Sequence, residues 1–208
     1  MIGLDQVSPR IGSQSLYPGI TIDVANGEIL AVMGKSGVGK SLLLDCISGS
    51  YHDHFGKISK GAKVFRVYQD HDQLFPWMTI RENMSIAGCH DTALSICQRW
   101  NLDKYWDSKP HQLSVGQRQR MTLIRALGRP ELILLCDEPL SAVDGLTALD
   151  LAKEFRELAH ESNKCVIWIT HDILEAKSVA DRYLVLSVDG HVVLSPNVTA
   201  DEILSKIS

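Results

Sequence analysis

Short runs of apolar residues recur along the chain and alternate with segments in which apolar residues follow a helical spacing. The runs cover residues 29–33, 63–68, 132–136 and 165–170. Continuous apolar runs of this length are typical of strands that are buried on both faces of a parallel sheet. Because strands and helices alternate, we predict an α/β fold with a mostly parallel central sheet.

The two ends of the chain carry other patterns. Residues 21–24 alternate between apolar and polar, and a turn at Asn26-Gly27 follows, which predicts a small N-terminal antiparallel β-lobe. Farther along, Asp189-Gly190 separates two strand patterns and predicts a two-residue hairpin turn. The segment 199–202 has the spacing of a capping box, so we expect a last short helix after it.

The stretch at about 72–112 shows no convincing strand pattern and predicts an inserted helical subdomain. Helical spacing of apolar residues is found at 79–86 and at 91–102. We therefore expect residues 1–208 to form a single domain that contains this subdomain.

A further helix is predicted directly after that stretch. Ser114 and Gln117 fit a capping box, and Gly128 with Pro130 should end the helix that begins there. The segment 148–159 carries another apolar helical face.

One strand-loop-helix segment predicts phosphate binding. Residues 34–41 match the pattern G-x-x-x-x-G-K-[S/T] between an apolar run and a helical pattern, so a merely structural glycine turn is disfavoured. The glycines let the backbone wrap a phosphate chain, and N–H groups at the helix start point at the anion. Lys40 can reach the β- and γ-phosphates, and the Ser41 hydroxyl is placed for Mg²⁺. The predicted nucleotide-binding residues are Gly34, Lys35, Ser36, Gly37, Val38, Gly39, Lys40 and Ser41.

Composition narrows the class of protein. Of the 208 residues 45% are hydrophobic and 22% charged, as in ordinary globular domains, and the net charge of −4 argues against a nucleic-acid partner. No apolar run approaches the length of a membrane span, so we expect a cytoplasmic protein. The five dispersed cysteines are expected to be reduced and mostly buried. The segments 52–54 and 70–72 contain His and Asp without a second ligand pair, so we expect no dedicated metal cluster there.

Five further signals follow the phosphate loop in a fixed order. They are Gln69, residues 113–117 (Leu-Ser-Val-Gly-Gln), Asp137-Glu138 after a buried strand, residues 141–144 (Ser-Ala-Val-Asp), and His171 after the next strand. With these signals the chain resembles, over nearly its whole length, the nucleotide-binding subunits of ATP-binding cassette (ABC) transporters. The resemblance implies the fold of a P-loop NTPase and ATP with Mg²⁺ as ligands.

The resemblance assigns a role to each strand-end residue, and the chemistry of each residue suits it. Asp137 would hold Mg²⁺, and Glu138 would orient and deprotonate the attacking water. His171 would contact the γ-phosphate, and Gln69 would sense metal and water while linking the site to a membrane partner. The expected metal ligands are Ser41, Gln69 and Asp137, and the expected catalytic residues are Lys40, Gln69, Glu138 and His171.

The resemblance also implies a head-to-tail pair of ATPase subunits. The helix capped by Ser114 offers a hydroxyl, the Gly116 N–H and a positive helix end to a γ-phosphate. In the family that phosphate belongs to the ATP held by Lys40 of the other subunit, and Asp144 bridges the two. We therefore expect Ser114, Gly116, Gln117 and Asp144 to bind nucleotide across a dimer interface, and a lone monomer to hydrolyse ATP poorly.

Three features depart from the family's pattern. Val115 replaces the first of two glycines, which the first turn of a helix tolerates. Ile11 stands where the family offers an aromatic ring to adenine, so ATP should bind more weakly unless Tyr17 substitutes. The short interval between Lys40 and Gln69 predicts a trimmed β-lobe.

The segment 69–83 resembles that of importer subunits for nitrate, sulfonates and taurine. Its Phe75-Pro76-Trp77 would suit docking to a membrane permease subunit, and the alternative is that Trp77 packs inside the helical lobe. The favoured function is the ATP-hydrolysing subunit of an importer at the inner face of the cell membrane, acting with permease subunits and a solute-binding protein. An exporter or lipid-extraction ATPase and a soluble ATPase without a transport role remain alternatives, and the transported compound stays open.

Overall fold

The strands in the described part of the chain form two sheets. The computed structural model describes residues 1–69, 73–195 and 197–207. In chain order the strands are β1 Ile2–Ile11, β2 Gln14–Ser15, β3 Ile20–Val24, β4 Ile29–Gly34, β5 His54–Lys60, β6 Val64–Val67, β7 Ile133–Asp137, β8 Cys165–Ile169, β9 Arg182–Ser187 and β10 Gly190–Leu194. The larger sheet has the order β10-β9-β4-β8-β7-β6, and its neighbours are parallel except for β10 and β9. The predicted mostly parallel α/β sheet is confirmed.

The smaller sheet is antiparallel and is built around β1. This strand pairs with β2, β3 and β5. Strand β3 alternates between buried and exposed residues, as its sequence pattern predicts. The interval between Lys40 and Gln69 holds one strand of this sheet, β5.

Helices lie between strands of the larger sheet along the chain, except for the last helix, which follows β10. They are α1 Lys40–Ser48, α2 Ile80–Ile86, α3 His90–Arg99, α4 Val115–Gly128, α5 Gly145–Glu161, α6 Ile173–Val179 and α7 Ala200–Ile207. The helical patterns at 79–86 and 91–102 correspond to α2 and α3, and two short 3₁₀-helices follow at Asp103–Tyr105 and Pro110–Gln112. Residues 70–72, where the predicted helical subdomain begins and where a His lies between two Asp residues, are outside the described residues.

The larger sheet is covered on both faces, which explains why its central strands are apolar throughout. Alternate side chains of a strand point to opposite faces. Ile29, Ala31 and Met33 of β4 pack into the core formed with α2 to α6, whereas Leu30 and Val32 pack against α1 and the smaller sheet. Because β4, β8 and β7 are paired in parallel, their carboxyl ends lie at the same edge of the sheet, where loops can carry polar side chains.

Two details of the C-terminal region test the sequence predictions. The capping box is confirmed, since Glu202 N donates to Thr199 Oγ1 over 3.2 Å and Thr199 N donates to Glu202 Oε2. The hairpin is also present, but the turn predicted at Asp189-Gly190 is wrong by one residue. Gly190 pairs with Ser187, whose Oγ donates to the Gly190 carbonyl over 3.1 Å, so the turn consists of Val188 and Asp189.

The remaining fold-level predictions concern cysteines and membrane spans. All five cysteines are buried and unbridged, as predicted. Among the described residues, no helix is both long enough and apolar enough to cross a membrane.

Candidate functional site

Glycines shape the loop between β4 and α1. Gly34, Gly37 and Gly39 have φ angles of 148°, 79° and 100°, in the region that glycine adopts without strain. A Cβ on Gly34 would lie 2.4 Å from the carbonyl oxygen of Leu186, whereas a Cβ on Gly37 would meet no atom within 4 Å. The start of the loop is therefore packed against β9, while its turn faces open space that a ligand can fill.

Lys40 folds back over this loop. Its Nζ donates to the carbonyl oxygens of Gly34 over 2.9 Å and of Lys35 over 3.0 Å, and the residue is only 9% exposed. Burial lowers the pKa of the Lys40 ammonium, while the carboxylates of Glu138 and Asp137 act in the opposite direction. A buried ammonium beside a glycine-rich turn at the start of a helix suits the binding of a phosphate chain.

Ser41 and Asp137 meet across the sheet edge. Ser41 lies in the first turn of α1, Asp137 ends β7, and the serine Oγ donates to Asp137 Oδ1 over 3.2 Å. Mg²⁺ prefers oxygen ligands and is commonly held by one or two carboxylates together with phosphates. The donor set at this point therefore fits the predicted ion.

Two other predicted residues lie next to the Glu138 carboxylate. Gln69 Nε2 donates to Glu138 Oε2 over 3.1 Å, and His171 Nδ1 lies 3.5 Å from the same oxygen. Glu138 itself has a φ angle of 44°, and its N–H donates to the Ile169 carbonyl over 3.0 Å. A non-glycine residue with positive φ is strained, and such residues cluster at functional sites.

Six of the predicted site residues thus lie together at one edge of the larger sheet: Lys40, Ser41, Gln69, Asp137, Glu138 and His171. Each lies in the first turn of α1 or within two residues of the carboxyl end of a strand of the larger sheet. A carboxylate with two polar neighbours, a hydroxyl-carboxylate pair and a buried ammonium can together bind a phosphate chain and activate water.

Ser114 starts α4 with the predicted capping box, which is confirmed. Gln117 N donates to Ser114 Oγ over 3.2 Å, and Ser114 N donates to Gln117 Oε1 over 2.9 Å. The Gln117 amide also donates to the Tyr105 hydroxyl over 2.9 Å, so this side chain is engaged within its own chain. A Cβ on Gly116 would lie 3.2 Å from the Ala142 carbonyl, which explains why a glycine suits this position.

Asp144 caps the next helix, α5. Its Oδ1 accepts from Thr147 N over 3.2 Å, and hydrogen bonds from Thr147 lower the pKa of the Asp144 carboxyl. Within the described ranges, no hydrogen bond or ion pair joins Ser114, Gly116, Gln117 or Asp144 to Lys40 or to Glu138. These four residues form a second polar group, separate from the first.

Two buried polar residues of the site were not found from the sequence. Gln119 is 3% exposed; its Oε1 accepts from Ala142 N over 3.0 Å, and its Nε2 lies 3.4 Å from the Glu138 carbonyl. Arg66 is 9% exposed and contacts Asp137. The signal for Arg66 was available, because a charged residue interrupts the apolar run at 63–68.

Tyr17 was the alternative source of an aromatic ring on the side of the site expected to face adenine. Ile11, at the end of β1, is 63% exposed, but Tyr17 is only 2% exposed. The Tyr17 ring lies 3.4 Å from where a Cβ on Gly39 would be, so it packs against the phosphate loop. Tyr17 therefore does not replace the missing aromatic ring.

Two aromatic side chains in contact, a few residues after Gln69, are exposed. Trp77 is 66% exposed and Phe75 is 38% exposed, with their ring centres 5.5 Å apart. The alternative in which Trp77 packs inside the helical lobe is therefore wrong.

Comparison with known proteins points to one family. The ABC transporter family model matches residues 17–141. The aliphatic sulfonates import ATP-binding protein SsuB 1 of Burkholderia cenocepacia (strain HI2424) is 34% identical over 209 residues, which cover 96% of this chain and 65% of that protein. The sn-glycerol-3-phosphate import ATP-binding protein UgpC of Paracoccus denitrificans (strain Pd 1222) is 33% identical over 204 residues, covering 88% of this chain and 58% of that protein. The chain thus spans less than two thirds of the length of these relatives.

Solved structures share the fold at low sequence identity. An ATP-binding subunit of an ABC transporter superposes with a TM-score of 0.85 at 18% identity, covering 100% of this chain and 99% of the other. A dimeric ATP-binding cassette in a post-hydrolysis state, bound to ADP and Pi, has a TM-score of 0.80 at 24% identity, with 96% and 100% coverage.

Proposed function

The chain belongs to the ABC transporter family, and from this membership we propose that it is the ATP-hydrolysing subunit of a multi-subunit importer. Residues 1–208 would form one nucleotide-binding domain with a helical subdomain at about 72–112. The observation that carries the proposal is the cluster around Glu138, whose carboxylate has Gln69 and His171 beside one oxygen. The SsuB and UgpC relatives are import ATP-binding proteins, which favours import over export.

In the proposed reaction Glu138 acts as the general base. Its carboxylate accepts a proton from a water molecule while the water oxygen bonds to the γ-phosphorus of ATP and the bond to the β-γ bridging oxygen breaks, giving ADP and phosphate. Gln69 and His171 hold the carboxylate and the water in line. Lys40 exchanges its two loop carbonyls for phosphate oxygens. Mg²⁺ bound by Ser41 and Asp137 would neutralise phosphate charge.

A second copy of the chain completes the proposed site. Ser114, Gly116 and Asp144 carry groups suited to a phosphate or to a partner, yet in the described part of the chain they have no bond to Lys40 or Glu138. The capped start of α4 presents N–H groups and a positive dipole end. These residues would close over the ATP that the other subunit holds, and the dimeric cassette with ADP and Pi offers a precedent in a protein of the same fold.

The exposed aromatic pair is the proposed contact with a permease. Trp77 and Phe75 expose apolar surface next to each other. Such exposure does not stabilise an isolated chain, and exposed aromatic side chains are typical of protein–protein contacts. Docking there would place the protein at the inner face of the cell membrane, bound to permease subunits. A solute-binding protein would deliver the solute to these permease subunits.

Capture from membranes tests the proposal. Tagged Glu138→Gln protein, which should trap the ATP-bound dimer, is incubated with ATP, Mg²⁺ and detergent-solubilised membranes of its own cell, and bound proteins are identified by mass spectrometry. We expect a protein with several membrane spans, and we expect Glu138→Gln combined with Lys40→Ala to lose it. Recovery of soluble proteins alone, with the dimer demonstrably formed, would contradict the transport role.

A further inference from the structure

A buried arginine lies between two carboxylates at the centre of the site. Arg66 on β6 is 9% exposed, and its guanidinium pairs with the carboxylate of Asp45 on α1. Its Nη2 lies 3.2 Å from Asp137 Oδ2 and 3.3 Å from the Ser41 carbonyl. The guanidinium carbon lies 4.7 Å from the centre of the Tyr68 ring. Arg66 therefore contacts both the phosphate-loop helix and the carboxylate expected to hold metal.

The two oxygens of Asp137 have different partners. Oδ1 accepts from the Ser41 hydroxyl, and Oδ2 faces Arg66. Asp137 is 5% exposed, and a buried carboxylate is costly unless a charge or hydrogen bonds compensate it. Arg66 provides that compensation and leaves one oxygen of Asp137 beside the Ser41 hydroxyl.

Arg66 halves the excess of negative charge at the site, from two charges to one. The carboxylates are Asp45, Asp137 and Glu138, and the buried cations are Lys40 and Arg66. Without the Arg66 charge, one ammonium would face three carboxylates. Clustered carboxylates with excess negative charge are the ligands that divalent cations prefer.

We propose that Arg66 is a built-in counter-cation that keeps a divalent metal ion out of the site until a nucleotide brings its phosphates. The inference rests on the proposed function and goes beyond it by making metal binding conditional on nucleotide. Arg66 acts through Asp137 and is a positioning residue. Arg66 lies three residues before Gln69, so its ion pair with Asp137 also holds the segment before Gln69 next to Asp137.

Metal binding without nucleotide tests this role. Free Mn²⁺, a spectroscopic substitute for Mg²⁺, is titrated against nucleotide-free protein and followed by electron paramagnetic resonance. The wild type should bind Mn²⁺ weakly, and Arg66→Met should gain at least about tenfold in affinity because a positive charge next to the site is removed. Arg66→Lys, which keeps the charge, should not gain. Arg66→Gln carries the same prediction as Arg66→Met and covers the case in which the methionine variant does not fold.

Two further variants locate the effect. Arg125 is also buried, at 7% exposure, but has no carboxylate partner in the part of the chain that the structure describes. Arg125→Met is therefore the matched control and should leave Mn²⁺ affinity unchanged. Adding Asp137→Asn to Arg66→Met should remove the gain, and a gain that survives this change would overturn the inference.

The failures of the two proposals can be told apart. If the wild type binds no ATP in the presence of Mn²⁺, the proposed function is wrong. If the wild type binds Mn²⁺ with ATP, but folded Arg66→Met and Arg66→Gln bind Mn²⁺ no better than the wild type without nucleotide, only the role of Arg66 is wrong.

Discussion

Replacing Ser114 by alanine should separate nucleotide binding from turnover. The hydroxyl accepts one hydrogen bond, from Gln117 N over 3.2 Å, while the reciprocal bond from Ser114 N to Gln117 Oε1 does not need it. Loss of an N-cap costs about 1 kcal/mol, or about 2–4 °C in melting temperature for a chain of this size. The domain should therefore stay folded and bind ATP through Lys40 as before.

The effect on turnover should be much larger. In the proposed dimer the Ser114 hydroxyl donates to the γ-phosphate of the partner's ATP, and a hydrogen bond to a charged group is worth about 1.5–3 kcal/mol. If this bond is lost in the transition state, the rate falls by about 10- to 150-fold. The assays are nucleotide binding to dilute monomer by fluorescence titration and phosphate release at high protein concentration.

Thr79 provides the matched control. It caps α2 with the same box, since Glu82 N donates to Thr79 Oγ1 over 3.2 Å and Thr79 N donates to Glu82 Oε2 over 2.7 Å. Thr79→Ala should cost similar stability and leave turnover near the wild-type rate. Equal loss of ATP binding and turnover in Ser114→Ala, or a matching loss of turnover in Thr79→Ala, would refute the two-subunit reasoning.

Three other predictions concern separate parts of the molecule. Ile11→Tyr should strengthen ATP binding about tenfold by adding a stacking ring, and an unchanged dissociation constant would rule this out. Trp77→Ala should leave ATP binding and the melting temperature unchanged, because the side chain is exposed, yet weaken capture of the membrane partner; capture at the wild-type level would remove Trp77 from the docking surface. Burial raises the pKa of Glu175 above its ordinary value of 4.5, and its Oε1 accepts from Trp168 Nε1 over 2.7 Å. A raised pKa in the folded state means that the wild type loses stability as the pH rises above 4.5. In urea denaturation, Glu175→Gln should therefore increase the free energy of unfolding at about pH 8 and much less at about pH 5. Equal gains at the two pH values would contradict the raised pKa.

The fold was predictable because its signals are local. The apolar runs and the helical spacing place β4, β7, β8 and α4 within a residue or two of their observed bounds. The phosphate loop lies within a single strand-loop-helix unit, so eight consecutive residues suffice to identify it. The hairpin register was missed by one residue because an Asp-Gly pair indicates a turn without fixing which strand residues pair.

Features that depend on distant residues were not predictable. Arg66 contacts Asp45 and Asp137, which are 21 and 71 positions away in sequence, and no local pattern joins them. The positive φ of Glu138 has no sequence signal, because glutamate ordinarily avoids that region. Burial of Tyr17 against the phosphate loop likewise follows from packing between separate elements.

Complementation between two inactive variants tests the central claim most directly. Lys40→Ala should be unable to hold the phosphates of its own ATP, and Ser114→Arg should block the surface proposed to close over the partner's ATP. In a head-to-tail pair of these two variants, one site has both defects and the other has neither. Mixing the two purified proteins should therefore restore phosphate release well above that of either variant alone. If the mixture stays at the level of the separate variants although mixed dimers form, the account of a site shared between two subunits is contradicted.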